Sequence, residues 1–92
     1  MKSSDVYIVT TTFNERENIP AFVTKVREAP KNIPHEVIVV DDSSPDGTYE
    51  IARELADKAY KVYRFGQTRG LLYGIERASY RFPLDVHPDK FV

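Results

Sequence analysis

Cysteine is absent from this 92-residue chain, which excludes disulfide staples and thiolate metal sites and leaves a small domain to rely on its apolar core or on a partner subunit. A surplus of charge is missing as well. Thirteen Lys and Arg stand against fourteen Asp and Glu, a net charge of −1, so there is no global field to hold a polyanion and nucleic acid is not an expected partner. Nor is there a long hydrophobic run: the longest aliphatic stretch, residues 37–40, falls far short of the ~20 residues a spanning helix needs. The polar start Met1-Lys2-Ser3-Ser4-Asp5 lacks the apolar centre of a signal peptide, which makes the cytoplasm the expected location. Repeats, linkers and low-complexity tracts are likewise missing. What is present is 41% hydrophobic and 29% charged residues, the balance of a globular chain, and a length that bounds it to one domain over residues 1–92.

Val6-Tyr7-Ile8-Val9 is short, β-branched and nearly all apolar, and predicts a buried strand over residues 6–11. Ile19, Phe22, Val23 and Val26 then recur at helical spacing with Lys25, Arg27 and Glu28 opposite, predicting a helix that Asn18 caps, that tolerates Pro20 in its first turn and that ends by Pro30. Residues 36–40 give a second buried strand, which runs straight into Asp41-Asp42. Ser43-Ser44-Pro45-Asp46-Gly47 is turn chemistry, with Asp46 capping a helix over residues 48–60 whose stripe is Ile51, Ala52, Leu55 and Ala59. A weaker strand is expected over 61–65. A further helix is expected over 70–80, with Leu71, Leu72, Ile75 and Ala78 inward and Gly70 and Gly74 as soft points. The last eleven residues, with Pro83 and Pro88, show no clean period.

This alternation implies parallel pairing through right-handed crossovers: a small open α/β sandwich of three layers, with ligands bound outside the carboxyl ends of the strands. Those ends carry Thr11, Thr12, Phe13, Asn14 and Glu15 from one junction and Asp41, Asp42 and Ser43 from the other. Acidic and hydroxyl residues also end strands and cap helices in proteins of every function. Two adjacent carboxylates repel, however, and a site recovers that cost by accepting donors from a base or ribose, or by holding a cation. Side chains alternate along extended chain, so one of Asp41 and Asp42 is expected to face the cleft and the other the scaffold.

Thr12-Phe13-Asn14-Glu15-Arg16-Glu17-Asn18-Ile19-Pro20, followed by Val39-Val40-Asp41-Asp42-Ser43-Ser44-Pro45-Asp46-Gly47-Thr48, resembles the opening of the family 2 glycosyltransferases, and most nearly the polyprenyl-phosphate sugar synthase branch that includes dolichyl-phosphate mannosyltransferases. The likeness is good over residues 6–60 and loose over 69–92. It implies half of a GT-A, Rossmann-like domain, with a nucleotide sugar of the GDP-mannose or UDP-sugar type on the carboxyl edge and a polyprenyl-phosphate-like acceptor. It further implies nucleotide contacts at Thr11, where the family usually has proline, at Phe13, where tyrosine is common, at Glu15, and at Asp42 with Val40 beside it. For Phe13 simple packing is an equal alternative to stacking.

Family members continue to an Asp-x-Asp motif that holds Mg²⁺ or Mn²⁺ on the diphosphate, and then to an acceptor half with the base. The resemblance places that motif near Asp85-Val86-His87-Pro88, making Asp85 the metal-ligand candidate with His87 where a second aspartate is expected. A second alignment instead matches His87-Pro88 to the His-Pro after the motif; both leave the metal site incomplete, and no catalytic base is assigned. The expectation is a truncated glycosyltransferase-like domain that needs missing parts for transfer. Without the strand that pairs beside the first one, residues 6–9 would form an exposed apolar edge, which predicts homo-oligomers and a non-catalytic or regulatory alternative. A remote alternative is a receiver-like domain phosphorylated at Asp85.

Overall fold

The computed structural model describes residues 6–81. Strands β1 (Val6–Thr12), β2 (His35–Asp41) and β3 (Lys58–Lys61) alternate with helices α1 (Ile19–Glu28), α2 (Thr48–Leu55) and α3 (Gly66–Arg81). All pairing is parallel in the order β1-β2-β3, with Val6 opposite His35, Thr12 opposite Asp41, and Ile38 opposite Lys58. The expected open α/β sheet is therefore found.

The run of β-branched residues in β2 is explained by cover on both faces. Val37 and Val39 turn toward Ile8, Ile19, Val23 and Ala52 on the side of α1 and α2, whereas Ile38 joins Tyr7, Val9 and Ala78 on the side of α3. At roughly 25 cal/mol per Å² of apolar area, these two half-cores are the dominant stabilising term. They also hold the strand ends in fixed register.

Three local expectations need correction. Helix α2 stops at Leu55, and β3 occupies residues 58–61 rather than 61–65. Ala59 packs on the core as a strand residue, not as the last position of a helical stripe. The break comes from Asp57: its backbone N–H donates to the Val37 carbonyl at 3.0 Å, and its carboxylate accepts the Val37 N–H at 2.6 Å and Arg27 Nη1 at 3.1 Å.

Asn18 occupies the N-cap position of α1 but makes no side-chain cap. Its Nδ2 donates instead to Glu15 Oε1 at 3.0 Å. Helix α3 starts four residues before the expected Gly70, and its inner face is Gly70, Gly74 and Ala78, while Leu71 and Leu72 are 38% and 60% exposed. The glycines are points of close approach. A Cβ on Gly70 would lie 2.9 Å from Thr11 Cγ2, and one on Gly74 would lie 2.5 Å from Val9 Cγ1.

Candidate functional site

The carboxyl ends of β1 and β2 open into two loops, 13–18 and 42–47, that lie side by side. Asp41 and Asp42 take opposite roles there, as alternation along the strand requires. Asp41 is fully buried. Its Oδ1 accepts the hydroxyls of Thr12 and Ser44, each at 2.7 Å, and its Oδ2 accepts the Ser44 N–H at 2.8 Å. These donors offset the burial of its carboxylate, which would otherwise be strongly unfavourable.

Asp42 faces the cleft. Its Oδ2 accepts the Gly66 N–H at 3.0 Å and its Oδ1 the Phe65 N–H at 3.2 Å, so the carboxylate sits on the first turn of α3. The Gly66 amide, more than any other group, holds the carboxyl below the ordinary carboxylate range; partial burial opposes the effect, and the Phe65 and Arg64 amides and the Arg69 charge add to it. Asp42 thus stays ionised at neutral pH. Arg69 stacks its guanidinium 4.5 Å from the Phe65 ring centroid, and Tyr73 meets the same ring edge-on at 5.7 Å, so an aromatic and cationic cluster backs the α3 start.

Thr11, Thr12, Phe13, Glu15, Asp42, Gly66 and Gln67 line one open cleft of about 330 Å³. Four of the five expected nucleotide contacts, Thr11, Phe13, Glu15 and Asp42, therefore converge. Phe13 is 56% exposed, and its ring is not spent on the core. Val40 does not join them at the surface: it is 1% exposed and lies beneath Gly70 and Gly74 of α3. Thr12, Gly66 and Gln67 are cleft residues that sequence reasoning did not assign. The first could have been read from its place in the threonine run, whereas the other two reach the cleft only through a contact 24 residues distant along the chain.

A second depression of about 250 Å³ continues past Thr10, Thr11, Thr12 and Glu15 to Asn18, Ile19 and Phe22, between β1 and α1. Asp85 and His87 lie outside the described residues. Among the described residues no group of three or more His, Cys, Asp or Glu is arranged to hold a metal ion. Nor is any described helix long and apolar enough to cross a membrane.

A parallel open sheet whose polar cleft lies across the carboxyl ends of two adjacent strands defines the class of open α/β folds that place their ligands at that edge. Comparison with known proteins narrows this: the model of glycosyl transferase family 2 matches residues 7–82, and the chain belongs to that family. It is 38% identical over 73 residues to the dolichol-phosphate mannosyltransferase of Pyrococcus furiosus, a match covering 78% of this chain and 21% of that protein. It is 41% identical over 61 residues to the polyprenol monophosphomannose synthase of Mycolicibacterium smegmatis, covering 62% of this chain and 22% of that one. The chain thus spans about a fifth of the length of these relatives. The acidic pair stands at the end of the second strand, Asp41 within it and Asp42 just beyond, with a strand and a helix before it, which is not the order of a receiver-like domain.

Proposed function

We propose that the chain binds a nucleotide sugar of the GDP-mannose or UDP-sugar type across the carboxyl edge of its sheet, as the donor half of a transferase acting on a polyprenyl-phosphate-like acceptor. The observation that carries this is the convergence of Thr11, Phe13, Glu15 and Asp42 on one cleft, in a chain of the glycosyl transferase family 2. Asp42 is ionised and steered by two amides, and each of its oxygens keeps a lone pair for an N–H or O–H donor of a base or ribose. Phe13 offers a face on which a base can stack. The similarity to a dolichol-phosphate mannosyltransferase and a polyprenol monophosphomannose synthase supports the acceptor class.

In the transfer, an acceptor phosphate oxygen forms a bond to the anomeric carbon while the bond from that carbon to the nucleoside diphosphate breaks, its electron pair leaving with the diphosphate. The described residues supply donor binding; acceptor and base come from groups outside them. Mg²⁺ or Mn²⁺ would offset charge on the leaving diphosphate. Among the described residues no third His, Cys, Asp or Glu stands with Asp41 and Asp42 to complete a site for such an ion, and the candidate ligand Asp85 lies outside them.

The test is titration of the chain with GDP-mannose, GDP and UDP-glucose, with and without Mn²⁺, beside Asp42→Ala. Saturable binding that the substitution abolishes supports the proposal, and absence of binding by all three ligands refutes it.

One observation favours a second reading, a homo-oligomeric module. Among the described residues β1 is bonded to a strand on one side only, and an apolar groove of Val6, Ile8, Val26, Ala29, Pro30 and Ile33 runs along it. Light scattering at roughly tens of micromolar, where a weak association is populated by mass action, decides it: a dimer supports the module and a monomer removes it.

A further inference from the structure

The two loops that form the cleft are joined by a pair of side-chain hydroxyls. Ser44 Oγ accepts the Asn14 N–H at 2.8 Å and donates to Asp41 Oδ1 at 2.7 Å. One residue further along the first loop, Thr48 Oγ1 accepts the Glu15 N–H at 2.9 Å and donates to Asp46 Oδ1. The next residue closes the series, with the Arg16 N–H donating to Asp46 Oδ2 at 3.4 Å and Arg16 Nη1 donating to the Asp46 carbonyl at 3.3 Å. Three successive amides of one loop are thereby matched to the other loop and the first residue of α2, and each hydroxyl relays between an amide and a carboxylate.

These hydroxyls are not general solubilising groups. Thr48 is fully buried and Ser44 nearly so, and the part-buried Asn14 and Glu15 amides each lose their acceptor if the hydroxyl is removed. The first loop also needs an external clamp. Asn14 is held at φ 57°, in the left-handed region, directly between Phe13 and Glu15, and Ser43 is at φ 52° on the opposite loop. Asn18 holds the Glu15 carboxyl and the strand pairing holds Thr12 beside Asp42, but beyond Thr12 the clamp is what ties the backbone of residues 14–16 to the opposite junction.

We propose that Ser44 and Thr48 are positioning residues for the cleft: their hydroxyls set the register between the loop bearing Phe13 and Glu15 and the loop bearing Asp42. They reach the ligand only through the residues they place. This inference rests on the nucleotide-sugar reading for its consequence in binding, but its structural content can be tested without a ligand.

The experiment uses Thr48→Val, which keeps the shape and removes the hydroxyl, Thr48→Ser, which restores it, and Ser44→Ala as an independent variant. Amide hydrogen exchange by NMR and affinity for GDP-mannose and UDP-glucose are both measured. Thr48→Val should speed exchange of the Glu15 amide by roughly tenfold while sparing Asn14, and Ser44→Ala should do the converse, as expected when each amide loses its single hydroxyl acceptor. Affinity should fall by about the same factor in both and return toward wild type in Thr48→Ser. Unchanged local exchange in both hydroxyl-less variants overturns the inference, as does wild-type affinity in Thr48→Val. If Thr48→Val does not fold, Ser44→Ala carries the test on the same criteria. A wild-type chain that binds neither sugar nucleotide refutes the functional reading instead, and the exchange pattern then decides the positioning role by itself.

Discussion

Gly74→Ala probes how closely α3 must lie on the sheet. The added methyl would stand 2.5 Å from Val9 Cγ1 and 3.0 Å from Val40 Cγ2, where carbon atoms prefer about 3.5–4.0 Å. Both valines are buried and β-branched, so neither rotates freely out of the way, and the helix must lift by roughly an ångström or the valines must leave their rotamers. With contacts this short the overpacking lies in the upper part of the usual range, about 2–3 kcal/mol, while replacing a mid-helix glycine by alanine returns about 1 kcal/mol of propensity. The net expectation is destabilisation by about 1–2 kcal/mol, or a Tm lower by about 5–15 °C for a chain of this size. Gly70→Ala makes the internal comparison: its methyl meets Thr11 Cγ2 at 2.9 Å, but Thr11 is only half-buried at the rim and can turn, so propensity and crowding nearly cancel. Calorimetry on both variants, with exchange of the Gly66 amide as a local reporter, checks this. A Gly74→Ala variant as stable as wild type or more so refutes the close packing of α3 on Val9 and Val40, and with it the placement of Gly66 at Asp42.

Asp42→Ala should fray the start of α3, seen as faster exchange of the Phe65 and Gly66 amides with α1 unaffected; equal protection in the variant would mean that the cap contributes nothing. Asp42, held down chiefly by the Gly66 amide, and Asp46, held down chiefly by the Thr48 hydroxyl, both have lowered pKa values. The folded state therefore binds fewer protons than the unfolded one, so their stabilisation is complete above about pH 4 and is lost as pH falls through the folded values. Urea titrations at descending pH should show that loss, and it should shrink in Asp42→Asn. Asp57→Ala leaves the Val37 N–H without its acceptor and should cost about 1–3 kcal/mol. Arg27→Ala, which removes a part-exposed ion pair, a bond to the Leu55 carbonyl and a long contact with His35 Nε2, should cost about 1 kcal/mol or less. Urea unfolding orders the two.

What the chain's pattern revealed was whatever is encoded within a few residues. The apolar runs of β1 and β2, the α1 stripe and the turn after Asp42 each have local signals, and so the two loops and their convergence were legible. The misplaced boundaries share one cause: a partner distant in sequence. Ala59 fits a helical stripe equally well as a strand position, and it is Asp57 bonding to Val37 that selects the strand. Helix α3 begins at Gly66 because Asp42, from another element, accepts its first N–H. Its glycines looked like weak points because helical propensity is local, while the closeness of Val9 that demands them is not. Val40 was grouped with the cleft by its neighbours in the motif, although alternation turns its side chain under α3.

The adjacent carboxylates bear on which ligand groups the cleft accepts. In sequence their mutual repulsion calls for a ligand's donors or a cation. In the fold each is relieved from within, Asp41 by two hydroxyls and an amide, Asp42 by the amides at the α3 start. The partial positive charge of that helix end, which would otherwise attract a phosphate, is already met by Asp42. A diphosphate placed there would face an ionised carboxylate, so under the proposed nucleotide-sugar reading the edge beside Asp42 suits the donor-rich base or ribose, with the phosphates further along the cleft. GDP and guanosine should therefore compete for the Asp42 end with similar dependence on Asp42→Asn, while inorganic phosphate should leave it undisturbed. Displacement of the Gly66 amide resonance by phosphate alone would reverse that assignment.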